Sequence, residues 1–436
     1  MRFSLKGVHV PKRKEACVRT SVLPLKSEVT IPMSMHIGKP DIPCVSVGDE
    51  VFVGTIIAKQ DGYISSPIHS SVSGKVKSVI DITLPSGQFC SAIKIESDQK
   101  MNLDPKLAPP IIREREDFVK AIRDSGIVGL GGAGFPAYIK FDVEDIDSID
   151  TLVINGAECE PYLVCDTRTM IDNRFDMFLA IEEICKYFNI KEVIIGIEKN
   201  NSEAISSMKE LSKKDSRIRI CVLSDIYPQG AEKVLVYNST GRIIPAGKLP
   251  LDVGIIVSNC TTIAKIGEYI RFGIPLVSKC VTVCGGAVKE PQNVIAPIGT
   301  PITDLIEFTG GLKSEPYKIL LGGPMMGYSV ESFDMWIMKN TNAIICLTEE
   351  ESKTKKETAC IHCGSCVRHC PLNLNPVGYL KAYNKGDIKE LERMRVDICM
   401  ECGCCSYVCP ASKPLVEVNR LAKLKLKEYS AMKNKK

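Results

Sequence analysis

The 436-residue sequence has little net charge and no long apolar run. Its 56 Lys and Arg residues nearly balance 52 Asp and Glu residues, which gives a formal charge of +4. That excess is too small to predict a nucleic-acid partner. No run approaches the roughly eighteen apolar residues of a membrane span, and the opening MRFSLKGVHVPKRKE lacks the apolar core of a signal peptide. We therefore expect a chain without a transmembrane segment, cytosolic or peripheral on the cytoplasmic face of a membrane.

The cysteines argue against a secreted disulfide scaffold, although there are twenty of them. Eight occupy the positions of one motif, a ninth lies inside that motif, and the others are scattered through apolar stretches such as VINGAEC and KCVTVCGG. This distribution is typical of a protein from a reducing compartment. The length predicts two to four domains rather than one core.

The motif that holds the eight cysteines is a repeated iron–sulfur pattern. It reads CIHCGSCVRHCP and then CMECGCCSYVCP, and each half is C-x-x-C-x-x-C-x-x-x-C-P. Three cysteines of such a run wrap one cubane cluster, and the fourth, held away by the proline, reaches the other cluster. We assign to one [4Fe-4S] centre Cys360, Cys363, Cys366 and Cys409, and to the second Cys399, Cys402, Cys405 and Cys370.

Zinc is the competing interpretation, because C-x-x-C pairs also form structural zinc sites. A zinc site needs four ligands and does not require three cysteines at successive spacings, repeated with the same Cys-Pro ending. The pattern therefore favours two clusters, and the chain is predicted to carry electrons. Cys404 precedes Cys405, and only Cys405 keeps the spacing from Cys402, so we interpret Cys404 as a non-ligand thiol.

The residues before the cluster motif divide into three patterned regions. Short alternating apolar runs from Val29 to Ile95 predict compact β structure; VSVGDEVFVG and SPIHSSVSGKV within them resemble the barrel-sandwich fold of biotinyl and lipoyl domains. After a polar linker, a helix over 116–125, a strand over 149–154, a helix around 167–188 and further alternation predict a parallel sheet flanked by helices. From Val281 the sequence is β-rich again and resembles the SLBB β-grasp domain.

The glycine-rich segment GLGGAGFP decides the interpretation of the middle region. Glycines let backbone N–H groups approach a phosphate or a flavin ring, but a packing turn explains most bare glycine runs. The longer string GLGGAGFPAYIK followed by NGAECEP resembles the flavin-binding subunit of respiratory complex I, whose motifs are GRGGAGFP with a following lysine and N-x-D-E-x-E-P. Leu130 replaces the arginine and Ala157 the aspartate of those motifs, which weakens the expectation for NADH more than that for FMN.

That resemblance implies the site residues by motif position. Contacts to FMN are implied for Gly129, Gly131, Gly132, Gly134 and Lys140, with Asn155 and Glu158 nearby; contacts to the nicotinamide nucleotide are implied for Phe135 and Glu160. Two further segments, YPQGAEK and VSNCTT, occupy the places of other motifs of that family. They supply four second-rank candidates: Gly230, Glu232, Asn259 and Thr262. No residue is expected to act as a catalytic acid, base or nucleophile.

The order of the regions resembles the RnfC family, the C subunits of Rnf electron transport complexes, over essentially the full length. The resemblance implies a multidomain α/β protein: a barrel-sandwich hybrid (1–100), a complex-I-flavin-subunit-like FMN and NADH domain (111–265), an SLBB β-grasp domain (266–335), a bacterial 2[4Fe-4S] ferredoxin-like α-helical domain (350–415) and a basic C-terminal helix or tail (416–436). The tail is either solvated or in contact with an anionic membrane or a partner.

The implied function is electron input. NADH would be oxidised at FMN, and electrons would pass through the two clusters to other subunits of an Rnf-type membrane complex, and so between NAD and ferredoxin, coupled to Na⁺ or H⁺ movement. Two alternatives stay open: a soluble electron-transfer protein of the same superfamily that feeds a cytosolic amino-acid or cobalamin reductase, and a carrier that has lost its nucleotide site.

Overall fold

In the residues that the computed structural model describes, the protein contains four sheets and a helical C-terminal region. The structure describes residues 6–14, 16, 20–24 and 26–433. In these residues the strands are β1 (Thr20–Val22), β2 (Glu28–Pro32), β3 (Ile42–Pro43), β4 (Glu50–Val51), β5 (Ile56–Lys59), β6 (Ile68–His69), β7 (Gly74–Thr83), β8 (Phe89–Ser97), β9 (Thr151–Asn155), β10 (Glu192–Glu198), β11 (Ile218–Leu223), β12 (Ile255–Asn259), β13 (Ser278–Cys284), β14 (Gln292–Pro297), β15 (Lys318–Leu321), β16 (Tyr328–Val330) and β17 (Ala343–Leu347).

The helices follow the same order along the described chain. They are α1 (Arg115–Asp124), α2 (Cys165–Asp172), α3 (Arg174–Tyr187), α4 (Ser202–Ser212), α5 (Glu232–Thr240), α6 (Cys260–Phe272), α7 (Ile302–Phe308), α8 (Glu349–Ser352), α9 (Ser365–Arg368), α10 (Pro376–Lys385), α11 (Ile388–Arg393), α12 (Cys404–Tyr407) and α13 (Leu415–Lys433). Short 3₁₀ turns span Ala137–Lys140, Pro250–Val253 and Val396–Ile398. None of the helices in the described part of the chain is long and apolar enough to cross a membrane.

Two small sheets form the N-terminal β module. An antiparallel sheet has the order β2-β8-β7-β4, and the second has the order β3-β5-β6. Their inward side chains, including Ile31, Ile57, Ile68 and Ile93, are fully buried. The alternation in the sequence produces this arrangement, because every second residue of a strand points to the same face.

A four-stranded parallel sheet, ordered β11-β10-β9-β12, forms the second unit. The apolar runs TLVIN and EVIIGIE of β9 and β10 are buried, as expected for parallel strands covered by helices on both faces. The single helix expected over 167–188 is wrong: Asn173 has non-helical backbone angles and separates α2 from α3. Asparagine favours such breaks because its side chain competes with the helical backbone for hydrogen bonds.

A six-stranded mixed sheet, ordered β1-β14-β13-β17-β15-β16, forms the third unit. Its edge strand β1 comes from residues that precede the β module and pairs in parallel with β14, Thr20 opposite Asn293. Its central strand β17 lies between β13 and β15 and comes from residues after 335. The sheet therefore contains strands from before and after residues 266–335, the range expected for the SLBB domain.

The C-terminal region packs helices α10, α11 and α13 around a small core. Fully or nearly fully buried members of this core are Tyr379, Leu391, Val396 and Ala422. Helix α10 begins with Pro376 at its first turn, and the Asn375 side chain accepts a hydrogen bond from the Gly378 N–H. These features favour a helix start at this point. The basic C-terminal segment is a helix as far as Lys433, and 434–436 lie outside the described residues.

Candidate cofactor sites

Two cavities in the C-terminal region are lined by cysteines. Cavity I is lined by Cys360, Cys363, Cys366 and Cys409, together with apolar residues such as Ile361 and Val377. Cavity II is lined by Cys370, Cys399, Cys402 and Cys405, with Cys404 as a fifth thiol. Each cavity therefore takes three cysteines from one run and the last cysteine of the other run.

The two cysteine runs fold in the same way. His362 and Gly364 in the first run, and Glu401 and Gly403 in the second, have positive φ angles between 56° and 78°. Consecutive turns of this kind curl the backbone around a central space and point N–H groups inward. The short helices α9 and α12 then carry the third cysteine of each run, Cys366 and Cys405, into the cavity wall.

The donor set fits cubane clusters. Each cavity offers four thiols, which are soft ligands suited to iron–sulfur clusters. Among the described residues, no His, Cys, Asp or Glu side chains form a group that could hold a metal ion by itself. A cubane is wider than one ion because each thiol binds a different iron, so a cavity ringed by separated thiols suits it.

Hydrogen bonds to sulfur add a second similarity between the cavities. The Leu374 N–H donates to Cys370 Sγ over 3.3 Å, and the Lys413 N–H donates to Cys409 Sγ over 3.4 Å. Both donors lie four residues after the cysteine. Asn419 Nδ2 of α13 adds a donor 3.5 Å from Cys399 Sγ. Such donors stabilise negative charge on the sulfur and so tune the cluster potential.

The glycine segment forms a closed loop beside the parallel sheet. The Gly129 N–H donates to the Phe135 carbonyl over 2.7 Å, and the Gly134 N–H donates to the Gly129 carbonyl over 3.0 Å. Gly132 and Gly134 have φ angles of 109° and 67°, which side chains rarely adopt. Gly131 and Gly132 are exposed at the tip. The loop thus presents bare backbone to a ligand.

The loop lies against the start of α6, at the carboxyl ends of β9 and β12. Asn155 and Asn259 are opposite each other at these strand ends. Asn259 accepts hydrogen bonds from the Thr261 and Thr262 N–H groups at the start of α6. A Cβ on Gly131 would lie 3.1 Å from Asn259 Nδ2. In open α/β sheets, ligands bind outside the carboxyl ends of parallel strands, so this edge is the candidate flavin site.

Further contacts join the remaining candidates to this edge. The Leu130 N–H donates to Thr262 Oγ1 over 2.9 Å, and Lys140 Nζ donates to the Val257 carbonyl over 2.8 Å. Lys140 Nζ also lies 3.4 Å from Glu232 Oε1. Asn155 Nδ2 donates to the Gly230 carbonyl over 2.9 Å. The structure therefore brings together these candidates: Gly129, Gly131, Gly132, Gly134, Phe135, Lys140, Asn155, Gly230, Glu232, Asn259 and Thr262.

The two acidic candidates have other partners. Glu158 is buried and accepts hydrogen bonds from the Asp166 N–H and the Thr167 hydroxyl, 2.9 and 2.7 Å away, at the start of α2. Burial, and then the charge of Asp166, raise the pKa of the Glu158 carboxyl. Asn259 Nδ2 in turn donates to Asp166 Oδ2 over 2.8 Å. Glu158 therefore helps to position Asn259 indirectly, through Asp166.

Glu160 lies on the side of the cluster motif. Its carboxylate accepts a hydrogen bond from the Met325 N–H over 2.9 Å, and burial raises its pKa to about 7. A Cβ on Gly323 would come within 2.3 Å of the Glu160 carboxyl carbon, so the GGPMMG turn needs glycine there. The structure thus places Glu160 against this turn and not in the hydrogen-bonded group around the glycine loop.

Several residues that contact the loop were not predicted from the sequence. The buried Lys279 Nζ of β13 donates to the Leu130 carbonyl over 2.9 Å. Asn340 Nδ2 donates to the Gly132 carbonyl over 3.3 Å, and the Ile37 N–H of the β module donates to the Gly134 carbonyl over 2.9 Å. The available signal for Lys279 was a lysine as the one charged residue in the strand sequence SKCVTVC. The other contacts had no local signal.

These residues fit a flavin mononucleotide. The exposed glycine tip allows close approach of a ring or a phosphate, and the Lys140 ammonium provides a positive charge at the same edge of the sheet. The individual ligand assignments for FMN and NADH stay predictions.

Comparison with known protein families gives four matches, which together cover most of the chain up to residue 410. The families are the Nuo51 FMN-binding domain over 122–268, the RnfC barrel sandwich hybrid domain over 2–100, the SLBB domain over 280–329 and the 4Fe-4S dicluster domain over 352–410. These matches confirm the predicted fold class and the predicted cofactor classes, FMN and [4Fe-4S] clusters.

Curated relatives are similar over most of their length. The C subunit of the proton-translocating ferredoxin:NAD(+) oxidoreductase complex of Clostridium ljungdahlii is 41% identical over 85% of this chain and 82% of the relative. The C subunit of the Na(+)-translocating complex of Acetobacterium woodii is 41% identical over 85% of each chain. The C subunit of the ion-translocating oxidoreductase complex of Rhodobacter capsulatus is 35% identical over 99% of this chain and 85% of its own.

Solved structures show the fold at low identity. Crystal structures of an NAD⁺-reducing [NiFe]-hydrogenase in the H₂-reduced and air-oxidized states give TM-scores of 0.52 and 0.51, at 16% and 17% identity. The matches cover 72% and 71% of this chain and 61% of the hydrogenase chain. At this identity the similarity shows the fold alone.

The glycine loop at the parallel sheet and the two thiol-lined cavities define the class: a flavin- and iron–sulfur-containing oxidoreductase subunit. The extent of the similarity to its relatives shows the family. This chain belongs to the RnfC family, the C subunits of ion-translocating oxidoreductase complexes.

Proposed function

We propose that this protein is the NADH-oxidising electron-input subunit of a membrane-associated Rnf-type complex. Electrons from NADH enter at FMN, pass through two [4Fe-4S] clusters, and continue to other subunits and finally to ferredoxin. Oxidation of one NADH to NAD⁺ releases one proton and two electrons, one for each cluster. The observation that carries the proposal is the direct packing of the candidate flavin site onto cavity II.

That packing is a buried cluster, here called the bridging cluster, which joins loops next to the candidate flavin site to residues that line cavity II. Its members are Val8, Val10, Cys159, Tyr227, Cys402 and Cys404. Cys159 and Tyr227 belong to the loops after β9 and β11, at the flavin side. A Cβ on Gly230 would lie 3.3 Å from Cys159 Sγ, and the Gly230 carbonyl accepts the Asn155 hydrogen bond. Only a few residues therefore separate Asn155 from the cluster ligand Cys402.

The position of the cavities supports an order for the relay. Cavity II adjoins the bridging cluster through Cys402. Cavity I adjoins cavity II through a second apolar cluster that contains Cys366, Cys405 and Cys409. Cys363 of cavity I is exposed, and the neighbouring Ile361 is 67% exposed. In our proposal cavity II holds the cluster reduced first, and cavity I holds the exit cluster, from which a partner subunit accepts electrons.

The residues of the flavin site have separate tasks in this proposal. When bound, FMN supplies the conversion of a two-electron hydride donor into one-electron transfers. Lys140 would hold the anionic part of the cofactor, and the bare glycine tip would leave space for the nicotinamide ring to stack. Glu158 and Asp166 fix Asn259 at the base of the site.

The complex and its ion coupling are proposed from the relatives. The names of two relatives at the same identity differ in the ion, H⁺ for one and Na⁺ for the other. We place ion movement in other subunits of the complex, with this chain peripheral on the cytoplasmic face.

Anaerobic mixing of NADH with the FMN- and cluster-loaded protein tests the proposal. We expect loss of flavin absorbance followed by reduced-cluster EPR signals. A protein whose flavin and clusters stay oxidised under NADH, yet are reduced by dithionite, is an electron carrier without a nucleotide site. Membrane fractionation tests the second part, since recovery of all the protein in a soluble complex with a reductase would replace the Rnf assignment by the soluble alternative.

A further inference from the structure

Residues 6–14, here called the N-terminal strap, run in extended form between the flavin side and the cluster region. Val8 and Val10 are buried, while His9, Pro11 and Arg13 are exposed, so alternate side chains point inward. The inward positions continue with Lys12, whose side chain is only 14% exposed. A segment with one buried face and contacts on two units is placed to hold them together.

The strap is paired to the loop that carries Tyr227. The Val8 N–H donates to the Tyr227 carbonyl and the Tyr227 N–H donates to the Val8 carbonyl, each over 2.9 Å. A Cβ on Gly7 would come within 2.3 Å of the Tyr227 carbonyl oxygen, so only glycine permits this approach. The same carbonyl lies 3.9 Å from Cys404 Sγ at the wall of cavity II. The strap, the flavin-side loop and the cluster motif thus meet at one carbonyl group.

Lys12 fixes the other flavin-side loop. Its ammonium lies 2.9 Å from Glu198 Oε2 and donates to the Cys159 carbonyl over 2.6 Å and to the Glu158 carbonyl over 3.3 Å. Glu198 is 2% exposed, and Lys12 is the partner that balances its charge. Removing one partner of such a pair leaves a buried charge, which strongly disfavours the arrangement.

At its far side the strap reaches the cluster region. Lys6 Nζ donates to Asn373 Oδ1, close to Cys370 of cavity II. The Tyr407 hydroxyl of α12 donates to the His9 carbonyl over 3.4 Å. Val8 and Val10 belong to the bridging cluster together with Cys402. The strap therefore contacts both the loop after β9 and the walls of cavity II.

We propose that the N-terminal strap positions the flavin site against cavity II, and that Lys12 is its positioning residue for electron transfer. The inference rests on the proposed function, because it concerns the step from the flavin to the first cluster. Lys12 does not touch FMN, substrate or the clusters in this proposal; it acts through the backbone of Glu158 and Cys159. Loss of this anchor lets the loop after β9 move away from Cys402, and electron transfer slows.

The test separates electron transfer from nucleotide oxidation. Bound FMN is reduced by a light pulse with a deazaflavin and a sacrificial donor, and reduction of the clusters is followed by rapid freeze-quench EPR. In Lys12→Met we expect cluster reduction to slow severalfold, because the rate of electron transfer falls steeply as the distance between donor and acceptor grows. Lys12→Arg should restore most of the rate. The matched control is Lys199→Met, which removes the ion pair between an exposed lysine and the half-buried Asp225 in the same unit.

An unchanged rate of cluster reduction in Lys12→Met overturns the proposal. An equal decrease of this rate in Lys199→Met also overturns it. If Lys12→Met is recovered without cofactors, Gly7→Ala replaces it, because its new Cβ displaces the strap from Tyr227 without a change of charge; a normal rate in that variant also overturns the proposal. The two proposals can also be separated. If NADH does not reduce the wild-type flavin, NADH oxidation is rejected. The strap proposal still holds in that case if light-driven transfer is normal in the wild type and slow in Lys12→Met.

Discussion

The Lys339 ammonium lies 2.8 Å from the carbonyl oxygen of Gly126, at the entrance of the glycine loop. It also donates to the Pro67 carbonyl of the β module over 2.7 Å, and its side chain is fully buried. One lysine side chain thus joins the β module, the flavin loop and the segment before β17. His69 packs beside it, and burial with the Lys339 charge lowers the pKa of His69 to about 3.

This arrangement predicts a pH-dependent stability. Burial lowers the pKa of Lys339 from 10.5 to about 7, with Asp41 opposing the shift. Between these values the unfolded chain binds a proton that the folded protein does not, so this group's contribution to stability rises with pH, by up to about 1.4 kcal/mol per unit. Lys339→Met also leaves carbonyl groups without donors, at about 1–3 kcal/mol each. We expect the variant to be less stable than the wild type, with a gap that widens from about pH 7 to about pH 9.

Urea unfolding of the cluster-loaded protein under anaerobic conditions measures this gap. Lys39→Met is the control, because Lys39 is exposed and makes a long ion pair with Asp61 in the same β module. A gap that stays constant or shrinks with pH would show that Lys339 remains charged in the folded protein.

Lys140 is predicted to contribute directly to FMN affinity. Its ammonium lies at the carboxyl end of β12, between the Val257 carbonyl and Glu232. Hydrogen bonds to charged groups contribute about 1.5–3 kcal/mol, so Lys140→Met should weaken FMN binding about tenfold to a hundredfold. Flavin fluorescence quenching measures the affinity, and iron content should not change. Lys248→Met, at an exposed lysine paired with Asp252, should bind FMN normally; equal affinities in both variants would remove Lys140 from the site.

Cys404 and Cys405 line the same cavity but are predicted to differ in function. Cys404 Sγ lies near the Tyr227 carbonyl, whereas Cys405 keeps the motif spacing from Cys402. Cys404→Ala should retain two clusters by iron and sulfide content, and Cys405→Ala should lose or degrade one. A loss of iron in Cys404→Ala, with full content in Cys405→Ala, would exchange the two assignments.

The order of the relay predicts asymmetric effects of single ligand removals. Cys363→Ala should lose the cluster of cavity I, and the remaining cluster should still be reduced through the flavin because cavity II adjoins the bridging cluster. Cys399→Ala should lose the cluster of cavity II and isolate the other, so that dithionite but not NADH reduces it. EPR after each reductant distinguishes these states, and the reverse pattern would place cavity I next to the flavin.

Short-range sequence patterns predicted the parts of the site that depend on local geometry. The spacing of the cysteine runs limits which thiols can reach one cavity. Cys370 and Cys409 each line the cavity of the opposite run, and the cluster ligands stay predictions. The alternation of β and α segments likewise predicted the parallel sheet that carries the glycine loop. In both cases the information lies within a few tens of residues.

Contacts between distant segments could not be predicted in this way. The bond from Lys339 to Gly126 joins residues 213 positions apart, and the bond from Lys12 to Cys159 joins residues 147 apart. Lysine is rarely buried without a partner, so neither position indicates burial in the sequence. The break at Asn173 was missed for a different reason: apolar periodicity continues through it, and only the backbone geometry separates the two helices.

The pairing of β1 with β14 limits how this protein can be divided. The β module is inserted between an edge strand of the six-stranded sheet and the rest of that sheet in the chain. A deletion of the first hundred residues therefore removes the β module and also the edge strand β1 of a distant sheet. The N–H and carbonyl groups of β14 that pair with β1 would then be exposed. Exposed strand edges of this kind promote self-association. Shortened versions of the protein that aim to isolate the redox centres should keep Thr20–Val22, or supply a replacement strand, to stay monodisperse.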